Sequence, residues 1–168
     1  GRNGYGAKLA NIFSTTFCIE TVDSKARKKY VQTWQNNMGT CSKPKINASG
    51  KRKDYTRVTF APDFAKFGLT CLTPDMKALF RKRAFDIAGT TPKDVRVYLN
   101  GIKISIQNFK QYCGLYFDGR TPLYQQLNDR WEVCIAMAHD QQHQHVSFCN
   151  AICTSKGGEH VKYIMDTI

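Results

Sequence analysis

Gly1-Arg-Asn-Gly-Tyr-Gly-Ala-Lys-Leu-Ala-Asn-Ile-Phe13, with Thr16-Phe-Cys-Ile-Glu-Thr-Val22 two residues further on, decides how this chain folds. Three glycines open a loop, and Ala7–Phe13 has the make-up of a short helix that Ser14 to Thr16 end. Thr16–Val22 then alternates and is rich in β-branched residues, which predicts a strand. Asp23-Ser24 reads as a turn, and Lys29-Tyr-Val-Gln-Thr-Trp34 alternates again, so the two runs form an antiparallel hairpin. A glycine loop, a helix and a hairpin therefore follow one another within 34 residues.

Downstream, Met38–Asp54 is lysine-rich and without periodicity, and reads as a polar loop. Tyr55-Thr-Arg-Val-Thr-Phe60 is another strand, closed by Ala61-Pro62. Thr73-Pro74-Asp75 starts a helix with a capping hydroxyl, a proline at the first helical position and an early acid. Met76, Leu79, Phe80, Ala84 and Ile87 mark its apolar face, and Gly89 is expected to end it. Val95–Leu99 and Ile102–Ile104 flank Asn100-Gly101, a strong hairpin signal. Ser105 is expected to cap a second helix carrying Ile106, Phe109, Tyr112, Cys113 and Tyr116. Residues 118–130 turn polar and read as a domain boundary. Trp131–Ala138 and His145–Phe148 are two further strands, and a last helical spacing runs through Val161, Ile164, Met165 and Ile168.

At 168 residues the chain can bury a core, and 42% hydrophobic residues argue against disorder. No stretch approaches the roughly 20 apolar residues of a membrane span, which excludes that class of protein. The opening at Gly1 and the close at Ile168 read as those of a piece of something longer. The net charge of +12 is uneven: residues 1–83 hold 17 Lys and Arg against 5 Asp and Glu, whereas residues 84–168 hold 8 of each. Such concentration suits a polyanionic partner, with solvated lysine loops as the plainer account. Seven cysteines without a CxxC pair suggest buried reduced thiols. His139, His143, His145, Cys149 and Cys153 lie within fifteen residues but lack the paired spacing typical of zinc ligands, so no metal site is assigned.

The chemistry concentrates at the front. A loop with Gly1, Gly4 and Gly6 lets backbone N–H groups close on an oxyanion, the helix behind adds its positive end, and Arg2 and Lys8 add mobile charge. The spacing is neither the dinucleotide fingerprint nor a Walker loop, and a plain loop ahead of a helix stays open as the alternative. No paired carboxylates or nucleophile motif supply a catalytic base. Glu20, the only acid close to the loop in sequence, lies on an alternating strand.

Gly1–Ser14 closely resembles the third ATP-binding motif of the eukaryotic type IIA DNA topoisomerases. The likeness continues in order through Lys29–Met38, Tyr55–Phe60, Phe85–Gly89, Val97–Gly101, Asn108–Tyr112, Arg130–Val133, Val146–Phe148, Asn150–Ile152 and Thr154–Val161, and so covers essentially the whole chain. The resemblance implies an α+β fold: part of a GHKL-type two-layer sandwich with a mixed, mainly antiparallel sheet, followed by the first strands of a transducer domain of ribosomal S5 type. It places the C-terminal part of the ATPase domain at 1–117, a linker at 118–130 and the start of the transducer at 131–168. By the same resemblance Gly1, Arg2, Asn3, Gly4, Tyr5, Gly6, Ala7 and Lys8 wrap the triphosphate of ATP, and Thr56 joins the nucleotide pocket.

The family's water-activating glutamate, Mg²⁺-binding asparagine and adenine-reading aspartate are expected before Gly1, and its switch lysine after Ile168. No catalytic residue is therefore assigned here, and the chain alone is expected not to hydrolyse ATP. For the whole protein the resemblance implies ATP with Mg²⁺ as cofactors and DNA as substrate. It also implies a homodimer through the ATPase gate, no membrane attachment and a nuclear location, with a mitochondrion or another DNA-containing organelle as alternative. A gyrase-like GHKL subunit and a non-catalytic basic nucleic-acid-binding module are the rival readings.

Overall fold

The computed structural model describes residues 3–117, 119–138 and 143–167. Its contacts divide the chain into two units, Gly1–Leu72 and Thr73–Ile168.

In the first unit, helix α1 (Tyr5–Ile12) leads into β1 (Ser14–Asp23), which forms the expected hairpin with β2 (Lys28–Gln35). Strand β5 (Tyr55–Pro62) lies antiparallel on the other side of β1. Phe17 on β1 is opposite Trp34 on β2 and Phe60 on β5, and its ring is fully buried between theirs, with centroids 6.0 and 6.3 Å away. That aromatic trio anchors the register, because slipping one residue would turn Phe17 to the opposite face. The Ser14 hydroxyl donates to the carbonyl of Ala10 in the last turn of α1, so the helix passes into the strand without a loop.

The polar segment 38–54 is not a plain loop. It contributes β3 (Thr40–Cys41) and β4 (Lys45–Ala48), both antiparallel to β2, the first opposite Trp34 and Gln35, the second opposite Lys28 to Val31. The free edge of β2 offers unpaired N–H and C=O groups that must find partners. Backbone pairing meets that need with side chains that all face solvent, so no apolar period marks these strands in the sequence.

The second unit begins with α2 (Pro74–Thr90), where the Thr73 hydroxyl caps the Met76 N–H at 3.3 Å. The expected apolar face is not the buried one: Leu79, Phe80 and Ile87 are exposed, and the helix buries Asp86, Ala88 and Gly89 instead. An ion-paired carboxylate occupies an interior position where a pattern reading looks for a hydrophobe. Gly89 does not end the helix; it sits within it because a Cβ there would lie 2.5 Å from the Cβ of Tyr112. Around this contact gather Ile104, Ile106 and Tyr112, flanked by Phe85, Phe109 and Phe148.

Asn100-Gly101, with φ of 52° and 81°, turns β6 (Tyr98–Leu99) into β7 (Ile102–Lys103) as its sequence requires. Helix α3 (Phe109–Cys113) starts later than expected. Its cap is Asn108, whose side-chain oxygen accepts from the Gln111 N–H at 2.8 Å, and Ser105 plays no such part. Within the polar stretch 118–130, β8 (Leu123–Asn128) pairs with β9 (Trp131–Ile135). The strand expected at 145–148 is shifted to β10 (Phe148–Cys149), which turns at Asn150-Ala151 into β11 (Ile152–Cys153). Helix α4 (Glu159–Met165) follows, as the spacing predicts. All seven cysteines are free thiols; Cys113 is buried, whereas Cys41, Cys71 and Cys149 are exposed, contrary to a uniformly buried set.

Candidate nucleotide-phosphate site

Asn3 to Lys8 form one exposed surface at the start of α1; Gly1 and Arg2 lie outside the described residues. Gly4 is the residue before the helix and has φ 66° and ψ 13°, a left-handed conformation that glycine adopts without a Cβ penalty. No side chain caps α1, and its first turn has no acid. The leading N–H groups are therefore unclaimed by any side chain among the described residues, at the positive end of the helix. Among the described residues, a Cβ added at Gly4 or Gly6 would meet nothing within 4 Å. The loop has open space in front of its backbone, which is what a phosphate approaching closely would use. Lys8 is exposed, and its N–H closes the first turn onto the Gly4 carbonyl at 3.3 Å. This donor set suits an anion: backbone N–H groups and one ammonium, with no carboxylate.

Thr56 takes its place elsewhere on the sheet. It stands on β5 opposite Thr21 of β1, and the two hydroxyls are 3.1 Å apart. Thr21 also donates to the Tyr55 carbonyl at 3.1 Å. Thr21 lies seven residues along β1 from Ser14, the first residue of the strand. Thr56 and the glycine loop belong to one sheet-and-helix unit, and no hydrogen bond joins them among the described residues. Thr21, which holds the Thr56 hydroxyl, was not singled out by the sequence because an alternating threonine in a strand looks like any other.

Glu20 cannot serve the loop as a base. Lys29 Nζ lies 2.6 Å from one of its oxygens, the Tyr55 hydroxyl donates to the other at 2.5 Å, and Arg57 lies 3.6 Å away. These donors, Lys29 foremost, hold its carboxyl below the ordinary glutamate range, and Glu20 in turn raises the Lys29 ammonium and the Tyr55 hydroxyl. A carboxylate so satisfied is a poor proton acceptor.

The second unit offers ordered polar groups but no metal cage. Among the described residues no three His, Cys, Asp or Glu side chains converge as metal ligands. His143 and His145 stack with centroids 5.7 Å apart, and His139 lies outside the described residues. The basic run on α2 is partly spent on the helix itself, since Lys82 and Arg83 both bind Asp86.

Comparison with known proteins matches this architecture over its full length. The chain is 49% identical to DNA topoisomerase 2 of Arabidopsis thaliana over 177 aligned residues, covering all of this chain and 12% of that protein. The chain belongs to the DNA topoisomerase 2 family. The ATPase region of Saccharomyces cerevisiae topoisomerase II superposes with a TM-score of 0.93 at 49% identity, over 99% of this chain and 44% of that one. The DNA gyrase B family model matches residues 93–168. A gyrase B subunit from Myxococcus xanthus has the same fold, with a TM-score of 0.60 at 18% identity over 92% of this chain and 48% of that one. The eukaryotic topoisomerase 2 reading is thereby favoured over a gyrase-like subunit, and the α+β fold expected of a GHKL ATPase region is the one observed. The chain spans about an eighth of the length of the curated topoisomerases it matches.

Proposed function

We propose that these residues hold the phosphates of ATP within an ATP-dependent DNA topoisomerase, an enzyme that passes one duplex through a transient double-strand break in another. The observation that carries the reading is the start of α1: a left-handed Gly4, an uncapped helix end and open space before Gly4 and Gly6. Gly1 to Lys8 form the clamp, with backbone N–H groups and Lys8 stabilising charge on the terminal phosphate. Thr56 serves the same pocket from β5, oriented by Thr21. Magnesium arrives with the nucleotide, since the loop itself brings no carboxylate.

On this reading residues 1–117 are the later part of the ATPase domain, 118–130 a linker and 131–168 the beginning of the transducer. The whole enzyme closes as a homodimer around DNA, in the nucleus. Among the described residues no free base stands near the clamp, and the 168-residue chain alone is expected to turn over no ATP; magnesium-dependent turnover by the pure chain would overturn that expectation.

The test is binding of a non-hydrolysable ATP analogue with Mg²⁺ to the whole protein, comparing wild type with Lys8→Ala and Gly6→Val. Loss of binding in both variants supports the clamp. Unchanged binding in both makes Gly1 to Lys8 an ordinary loop.

A further inference from the structure

At the end of β1 away from α1, two loops come together. The turn 24–27 joins β1 to β2, and the segment 49–54 joins β4 to β5. The Ser49 N–H donates to the Arg27 carbonyl at 2.8 Å, and the Ser24 N–H to Asp54 Oδ1 at 2.6 Å. Between them opens a groove of about 460 Å³ lined by Ser24, Lys25, Arg27, Ser49, Lys51 and Arg52. We propose that this groove is a binding site for the phosphate backbone of duplex DNA.

The charges on its wall are free to be used. All ion pairs among the described residues sit on Glu20 or Asp86, so Lys25, Arg27, Lys51 and Arg52 have no carboxylate partner there. All four are exposed. The two nearby acids are turned to the loops themselves: Asp23 accepts from the Ala26 N–H at 2.8 Å, and the Ser24 N–H holds the Asp54 carboxyl below its ordinary value. Four unpaired cations on two braced loops, with two serine hydroxyls between them, make a cradle for more than one phosphate.

The lining also selects among polyanions. A free nucleotide's pocket is mostly apolar and enclosed, with a few placed polar groups. Single strands need aromatic side chains for their bases to stack on. The groove has neither, since none of its lining residues is aromatic or aliphatic. What remains is the sequence-independent contact of lysine, arginine and serine with the outside of a duplex. The site shares no lining residue with the phosphate clamp, which is built on Asn3 to Lys8 at the start of α1.

The measurement is fluorescence anisotropy of a labelled, mixed-sequence DNA duplex with the intact 168-residue chain, without nucleotide, from about 50 to about 200 mM salt. Each neutralised phosphate contributes about 0.9 to the slope of log affinity against log salt. Lys25→Ala with Arg27→Ala should lower that slope by about 1.8, and Lys51→Ala with Arg52→Ala by a similar amount. Lys77→Ala with Arg81→Ala on α2 removes the same charge elsewhere and should leave it unchanged. Either loop pair suffices as a test should the other fail to fold by circular dichroism. An unchanged slope in both groove variants, an equal fall in the α2 control, or a single strand that outcompetes the duplex would overturn the proposal. Because nucleotide is absent, such a failure leaves the phosphate-clamp reading standing.

Discussion

The hydroxyl of Tyr112 donates to Oδ1 of Asp86 at 2.7 Å, joining α3 to a carboxylate on α2 that has no solvent exposure. Lys82 reaches both carboxylate oxygens, at 2.9 and 3.0 Å, and Arg83 reaches Oδ2 at 3.2 Å. The Tyr116 hydroxyl lies 2.7 Å from that of Tyr112 and must be the donor there, because Tyr112 has spent its single proton on Asp86. Hence the acid is charged but satisfied, and the chain of donors points one way, from Tyr116 through Tyr112 to Asp86.

Tyr112→Phe keeps the ring that packs on Phe109 and Phe148 but removes the proton given to Asp86. A hydrogen bond to a charged acceptor contributes about 1.5–3 kcal/mol, and the loss should appear as that decrease in unfolding free energy in urea. Tyr116→Phe, one step further from the charge, should cost less, about 0.5–1.5 kcal/mol. Equal losses in the two variants would mean that the chain of donors does not end on Asp86.

Acid should unfold the second unit through the same carboxyl. Burial works to raise the Asp86 pKa, but the Tyr112 hydroxyl and the Lys82 ammonium outweigh it and hold the group below its ordinary value. A depressed carboxyl gives stability that is complete above the unfolded pKa of about 3.9 and is lost as pH falls through the lower folded value. Urea midpoints of wild type and Asp86→Asn should therefore differ by a constant amount from neutral pH to about 5, then converge below about pH 4. Curves that stay parallel down to pH 2 would show that Asp86 carries no such linkage.

Gly89→Ala tests the close approach of α2 and α3. Alanine ordinarily favours a helix interior over glycine by about 1 kcal/mol. Here the new methyl would meet Tyr112 Cβ, Cγ and Cδ2 at 2.5, 2.6 and 2.8 Å, and that ring is buried, so overpacking of about 1–3 kcal/mol should prevail. Thermal unfolding should show a lower melting temperature; a rise would mean that the helices separate freely.

What the sequence disclosed and what it hid follow from how each feature is held. The β1–β2 hairpin and the Asn100-Gly101 turn were legible because alternation and left-handed glycine leave local marks. Strands β3 and β4 were not, since only the open backbone edge of β2 recruits them. Asp86 was hidden for the opposite reason: a charged residue in a basic helix looks solvated until its partners are seen around it. The glycine loop was visible as a loop ahead of a helix, whereas its reading as a phosphate clamp rests on the family resemblance, since its spacing matches neither the dinucleotide fingerprint nor a Walker loop. The pairing of Thr56 with Thr21 and the meeting of two lysine-bearing loops depend on residues about 25 to 35 positions apart, which no local pattern records.

Gly4 and Gly6 separate a backbone need from a ligand need. Gly4 is left-handed, so Gly4→Ala should cost about 1–2 kcal/mol even though its methyl would touch none of the described residues. Gly6 lies in the first turn of α1 with no such conformation and with open space before it. Gly6→Ala should therefore leave stability unchanged or raise it by up to about 1 kcal/mol. If a phosphate closes on this backbone, the same methyl stands in its way, and affinity of the whole protein for an ATP analogue should fall by about tenfold or more, the equivalent of about 1.4 kcal/mol. A variant that melts no lower than wild type yet binds the analogue poorly can be explained only by contact at Gly6 itself. One that binds as well as wild type would place the phosphates away from this turn.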